Sequence, residues 1–230
     1  MAPLAPPSTL ARTLRALAHL LRYPDAELRA HLHELAAALH AERALDAQQR
    51  AALDALVAEL AGARGLAAEA VYVELFDRGR GTSLNLFEQV HGESRERGPA
   101  MISLIQTYEQ AGLELQPGEL PDHLSVLLEY ASTQPAPQAR AFLGEFAHLL
   151  RALHTALVRR ASAYAAVPAA LLALAGEPAG EVALPDEPPL DELWAEPAAF
   201  DGCASAGAGA ARPIHIVKPR RPQATQGARP

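Results

Sequence analysis

Residues Gln138–Ala165 read QARAFLGEFAHLLRALHTALVRRASAYA. Phe142, Phe146, Leu149, Leu150, Leu153 and Leu157 recur three and four apart, the spacing of one helix face. The stretch predicts one long amphipathic helix, separated by Pro135 and Pro137 from what precedes it and ended by Pro168. Ala169–Ala175 follows as a short last helix closed by Gly176. Ala and Leu dominate the whole chain, and β-branched residues are sparse. The expected fold class is all-α, a single helical bundle domain over residues 8–176.

The same period extends towards the N-terminus. After a frayed, Pro-rich start at residues 1–7, Ser8 or Thr9 is placed to cap a helix with Leu10, Leu14, Leu17 and Leu21 on one face. Tyr23-Pro24 breaks it, and Pro24 suits the first turn of a second helix with Leu28, Leu32, Leu35 and Leu39 inward. Asp46 with Gln49 reads as a capping box for a third helix, with Leu53, Leu56, Val57 and Leu60 inward. Gly62 and Gly65 mark its end. Further helices are expected over Leu66–Asp77, from a Ser83 cap to His91, and from Ser94 or Gly98–Pro99 to Ala111. Another is expected from Pro121 to Ser132. Gly79 with Gly81, Gly112, and Pro117-Gly118 read as loop, stop and turn.

The composition changes after Gly176. Residues 177–201 hold eight acids, five prolines and no Lys or Arg, whereas residues 212–230 hold five basic residues and no acid. Residues 177–230 therefore read as a disordered low-complexity tail, acidic then basic. Leu190, Leu193, Trp194 and Phe200 leave docking of that tail open as the second reading.

Bulk properties narrow the function classes. The 230 residues carry a formal net charge of −7, which argues against a nucleic-acid partner. One cysteine, Cys203, excludes an intrachain disulfide and any Cys-rich metal site. The start MAPLAPPSTL lacks the basic region and apolar core of a secretory signal. No apolar run reaches the roughly 20 residues of a membrane span.

Chemistry finds little support. Gly92-Glu93-Ser94-Arg95-Glu96 lacks the second glycine of a nucleophile elbow. Glu88 and His91 have di-iron spacing, but that motif occurs once where two copies are needed, so metal: none, and cofactors: none, are expected. There is no phosphate-binding G-x-x-x-x-G-K-[ST], and the only Lys is in the tail. What remains is a polar-decorated stretch containing Asp77, Arg80, His91, Glu93, Arg95 and Arg97. These side chains either brace the loops by ion pairs or rim a groove floored by Tyr72, Phe76, Leu84, Leu86, Phe87 and Met101. An apolar floor with a polar rim is the receptor form for an amphipathic helix.

Three runs are too ordered for such a pattern alone. They are YVELFDRGRGTSLNLFEQVHGESRERGPAM (Tyr72–Met101), LIQTYEQAGLEL (Leu104–Leu115) and ELPDHLSVLLEYAS (Glu119–Ser132). With LRYPDAEL (Leu21–Leu28) and LWAEPAAF (Leu193–Phe200), they resemble the NarJ family of respiratory nitrate reductase assembly chaperones, within the TorD/DmsD-like redox-enzyme maturation chaperones. Glu93, Ser125 and Tyr130 depart mildly from the family pattern.

The resemblance implies an all-α, cytoplasmic protein that is not an enzyme. It implies binding of the N-terminal segment of the nitrate reductase catalytic subunit, held competent for molybdenum cofactor insertion and membrane docking. The chaperone is then no part of the finished enzyme. Candidate groove residues for that peptide are Tyr72, Phe76, Asp77, Arg80, Leu84, Phe87, His91, Glu93, Arg95, Arg97, Met101, Asp122, His123 and Leu124. The acidic balance suits a basic client segment. The alternatives are a chaperone of another molybdopterin oxidoreductase, or a nucleotide- or metal-regulated helical switch using His91, Glu93 and Arg95. A further expectation is that the Trp194-containing tail fills the groove when no client is bound. The oligomeric state is left open.

Overall fold

The computed structural model describes residues 10–63, 66–91 and 97–184, all within the first of two units into which the chain divides, Met1–Glu187. The helices are α1 (Ala11–Leu20), α2 (Ala26–Ala30), α3 (Leu32–Ala41), α4 (Ala47–Gly62), α5 (Leu66–Tyr72), α6 (Leu86–His91), α7 (Arg97–Gln110), α8 (Leu124–Thr133), α9 (Ala136–Glu145), α10 (Ala147–Arg159) and α11 (Ala166–Ala175). Short 3-10 turns occupy Arg80–Thr82 and Ala163–Ala165, and a π-helical turn, Val73–Asp77, continues α5. There is no β-strand among the described residues, so the fold is all-α as expected.

The helices close on themselves. α1 packs on α8, α8 on α9, α9 on α11, α11 on α4, α4 on α3, and α3 back on α1. Leu14, Leu17, Leu53, Leu56, Leu127, Leu128, Leu150 and Leu153 are fully buried inside. These are the residues the three-and-four spacing put inward, because that stripe is the apolar surface the helices can remove from water.

Capping shows which ends the sequence could announce. Asp46 and Gln49 form the expected box at α4, at 2.8 and 2.9 Å. Pro24 does not open α2. Asp25 is the cap, accepting from the Leu28 N–H at 2.7 Å, and Pro24 lies before it. Ser8 and Thr9 lie outside the described residues, and the first turn of α1 is capped from a distance. The Glu42 carboxylate, just past α3, accepts from the Arg12 and Thr13 N–H groups at 3.1 and 2.9 Å, and from the Thr13 hydroxyl at 3.0 Å. A carboxylate there satisfies orphan donors and meets the positive helix end. Glu42→Ala is expected to cost about 1–2 kcal/mol in urea unfolding, and Glu42→Gln less, since the amide oxygen still accepts.

The single helix expected over Gln138–Ala165 is a correction. It is broken at Phe146 (φ −96°, ψ 5°) into α9 and α10, and ends at Arg159, where Ala161 turns left-handed at φ 50°. The break lets the Phe146 ring meet Phe142 at 5.1 Å and Phe87 at 6.3 Å. Pro168 does not end a helix either. It sits in the first turn of α11, where its missing N–H costs nothing. Gly112 and Gly176 stop α7 and α11 with φ of +76° and +82°. Gly79 is required by space instead, because a Cβ there would lie 2.5 Å from Thr82 Oγ1 and 2.7 Å from Arg160 Nη1.

Residues 177–184, the first of the expected tail, lie along α10. Arg151 pairs with Glu177 at 2.9 Å and donates to the Pro178 carbonyl at 3.2 Å, while the Val182 N–H donates to Thr155 Oγ1 at 3.1 Å. The frayed start at 1–7, the rest of the tail, Trp194 and Cys203 fall outside the described residues.

Candidate functional site

The Glu119–His123 segment sets the site. Gly118, with φ +92°, completes the turn before it. The Tyr108 hydroxyl donates to the Pro121 carbonyl at 2.7 Å. An antiparallel bridge pairs Asn85 with His123, with the Leu86 N–H on the Asp122 carbonyl at 3.1 Å and the Leu124 N–H on the Leu84 carbonyl at 2.8 Å. α8 therefore begins at Leu124 with His123 as cap, a turn later than Pro121 predicts, because Pro121 and Asp122 form a tight turn, with the His123 N–H on the Leu120 carbonyl at 3.1 Å, that leads into the bridge.

Asp122 is fully buried in that bridge. Its Oδ2 accepts from the Phe87 N–H at 3.1 Å and lies 3.7 Å from Arg97 Nη2, so one carboxylate ties α6, α7 and α8 together. Burial pushes its carboxyl above the usual range, against the opposing pull of the Phe87 N–H and Arg97. His123 is pushed the other way, chiefly by burial. Its Nδ1 accepts from the Ser125 N–H at 3.3 Å and the Ser125 hydroxyl at 2.6 Å, which puts the ring proton on Nε2.

The second element is an aromatic cluster where α5 becomes the π turn. Tyr72 meets Phe76 at 4.8 Å, Tyr164 at 6.2 Å and Tyr23 at 5.6 Å, and its hydroxyl donates to the Leu21 carbonyl at 2.8 Å. Tyr72 is buried, which pushes its hydroxyl pKa up, whereas Tyr23 is 44% exposed. The Tyr23 hydroxyl donates to Glu69 at 2.7 Å.

Around these elements a cleft runs through three adjoining cavities, the first between the end of α1, α2 and α3 and the other two along the α1–α8 seam. One, of about 580 Å³, is lined by Arg22, Tyr23, Asp25, Glu27 and Glu34. The next, about 430 Å³, is lined by Arg22, Tyr23, Tyr72, Asp77, Glu119, Leu120, His123, Val126 and Glu129. The third, about 370 Å³, shares Glu119, Val126 and Glu129 with it and reaches Arg15, His19, Tyr108, Leu113, Leu115 and Tyr130. Carboxylates outnumber cations on these walls, and Arg22 is itself paired with Glu129 at 3.4 Å. The result is an acidic rim over a partly aromatic floor.

The expected groove residues divide among several places. Tyr72, Asp77 and His123 come together on this cleft. Phe76, Leu84 and Leu124 are buried in the core beneath it, as is Leu86. Phe87 lines a separate cavity of about 310 Å³ with Ala100, Leu104, Glu145 and Phe146. Met101 is half-buried on α7, and Arg97 braces Asp122. Glu93, Arg95 and the side chains of Arg80 and His91 lie outside the described residues. Sequence reading missed the α1 side of the cleft, namely Arg15, His19, Arg22 and Tyr23, together with Glu119, Val126 and Glu129. The available signal was Tyr23, an aromatic in a helix break where no core stripe needs it, and Val126 on the otherwise polar face of α8. Among the described residues, no group of three or more His, Cys, Asp or Glu could hold a metal ion, and no helix is long and apolar enough to cross a membrane.

Residues 22–169, which contain most of this cleft, match the family model described as nitrate reductase delta subunit. The chain belongs to that family. Within it, the chain is 40% identical over 190 residues to the nitrate reductase molybdenum cofactor assembly chaperone NarJ of Escherichia coli K12, covering 78% of this chain and 80% of that one. It is 33% identical over 161 residues to the probable chaperone of the same name from Bacillus subtilis 168, covering 70% and 86%. A 111-residue stretch is 49% identical to the probable E. coli K12 chaperone NarW, covering 48% of each. As a member of the nitrate reductase delta subunit family, the chain has relatives named as nitrate reductase molybdenum cofactor assembly chaperones.

Proposed function

We propose that this chain is a system-specific maturation chaperone for a respiratory nitrate reductase. It binds the N-terminal segment of the catalytic subunit in the cytoplasm. It holds that subunit competent for molybdenum cofactor insertion and membrane docking, and takes no part in the finished enzyme or in catalysis. Likeness to NarJ over most of both chains supports the reading. The observation that carries it is the α1–α8 cleft, long, acidic and aromatic-floored, a form suited to a short basic amphipathic helix.

The mechanism follows from the walls. A client segment that orders only on binding gives up conformational entropy, so its complex stays moderate in affinity and reversible. Apolar side chains reach Tyr108, Leu113, Val126 and Tyr130, while the summed charge of the rim, to which Glu119 and Glu129 contribute although each has a partner within the chain, attracts basic ones. Calorimetry with a synthetic peptide of the catalytic subunit's N-terminus tests this. One-to-one binding is expected, weakening as salt rises, with Glu119→Gln plus Glu129→Gln reducing affinity about tenfold. A peptide that fails to bind the wild-type chain sinks the reading.

A further inference from the structure

Tyr23, Tyr72 and Asp77 form a unit that neither the fold nor general acidity explains. Asp77 is the last residue of the π turn Val73–Asp77, at the negative end of the helical run, where a carboxylate is disfavoured. It is exposed and makes no hydrogen bond or ion pair among the described residues. The neighbouring acids are occupied: Glu69 takes the Tyr23 hydroxyl, Glu129 pairs with Arg22, and Glu119 accepts from the Gln116 N–H. His123 has its Nδ1 engaged by Ser125. Asp77 is thus the uncompensated charge of the 430 Å³ cavity.

The rings beside it share that polarity. Tyr23 and Tyr72 meet edge to face, 5.6 Å apart at 82°, and both line the cavity with Asp77. Donation from the Tyr23 hydroxyl to a carboxylate at 2.7 Å makes that exposed ring more electron-rich. An electron-rich aromatic surface next to an unpaired carboxylate recognises a guanidinium or ammonium group.

We infer that the Tyr23–Tyr72–Asp77 cavity is a subsite for one cationic side chain of the bound segment. The inference rests on the peptide-binding reading above and adds a position-specific requirement to it. General acidity favours every positive charge in the client by a similar small amount. This subsite selects one arginine or lysine, at the register where the segment crosses the gap between Tyr23 and Leu120. An apolar or acidic residue at that register is rejected, because Asp77 and the rings are then desolvated without a partner.

The test uses the full chain and a peptide series in which each arginine and lysine of the client's N-terminal segment is changed singly to glutamine. Wild-type protein is expected to lose about tenfold in affinity for one member of the series and about twofold or less for the others. Asp77→Asn and Tyr23→Leu should each bind the parent peptide more weakly and lose most of that single discrimination. Melting of Asp77→Asn is expected to match wild type, since that side chain is exposed and unpaired among the described residues, while Tyr23→Leu should melt slightly lower because it loses the Glu69 hydrogen bond and the Tyr72 ring contact. If both keep the full discrimination, or if it is spread evenly over all positions, the subsite is overturned while the chaperone reading stands. If the parent peptide fails to bind the wild-type chain, both fall together.

Discussion

Replacing Leu128 by alanine is expected to destabilise the chain by about 3–5 kcal/mol, a large fraction of the whole stability of a domain this size. Leu128 is fully buried on α8, the helix with the most extensive contact to α1, in the same core as Leu14 and Leu17 of α1 and Leu124 and Leu127 of α8. Deleting three carbons there removes apolar burial and leaves a void that two anchored helices cannot close. Urea unfolding followed by circular dichroism measures it, and a cost below about 1 kcal/mol would mean that the seam is not packed as described. The adjacent cleft-lining side chain separates stability from binding. Val126 faces the cavity only half-buried, so Val126→Ala should cost under about 1 kcal/mol while weakening the client peptide.

Asp122→Ala is the second large effect, at about 2–3 kcal/mol. The change strands the Phe87 N–H in the first turn of α6 and leaves Arg97 without its carboxylate, loosening the point where α6, α7 and α8 meet. Asp122→Asn keeps an acceptor for Phe87 and removes a charge that burial disfavours, so it should cost about 1 kcal/mol or less. The pH dependence distinguishes this from a generic core defect. Burial raises the Asp122 pKa above its unfolded value, so the folded chain holds this proton more tightly than the unfolded one. Its contribution is fully present below the unfolded carboxylate pKa and is lost as pH rises through the folded pKa. Wild type should therefore gain on Asp122→Asn as pH falls through that window. Parallel curves for the two proteins would exclude the buried carboxyl as described.

Much of the fold was legible in residue order. Leu53, Leu56 and Leu60 on α4, and Leu124, Leu127 and Leu128 on α8, face inward as their spacing requires, and Asp46 with Gln49 caps α4. Each of these depends on residues within one or two turns. The candidate site was less legible. Tyr72, Asp77 and His123 reached the cleft, but Phe76 and Leu84 were drawn into the core by Tyr164 and by the bridge to α8. Periodicity marks a side chain as apolar and does not tell an inner wall from a groove floor.

The sequence by itself determined an all-α chain, the inward stripes, and, through three ordered runs, its family. Tertiary structure alone decided that Glu42 caps α1 from 29 residues beyond Thr13, that Phe146 breaks the Gln138–Ala165 stripe, and that the Asp122 carboxylate serves α6 and α7, both earlier in the chain. It also decided that the cleft's second wall comes from Arg15, His19, Arg22 and Tyr23 of α1 and the break after it. Local patterns fix what a helix must bury, because hydrogen bonding and side-chain spacing repeat within a few residues. Which helix covers it, and which carboxylate meets an orphan donor, depends on distances across the bundle that no short window of sequence contains.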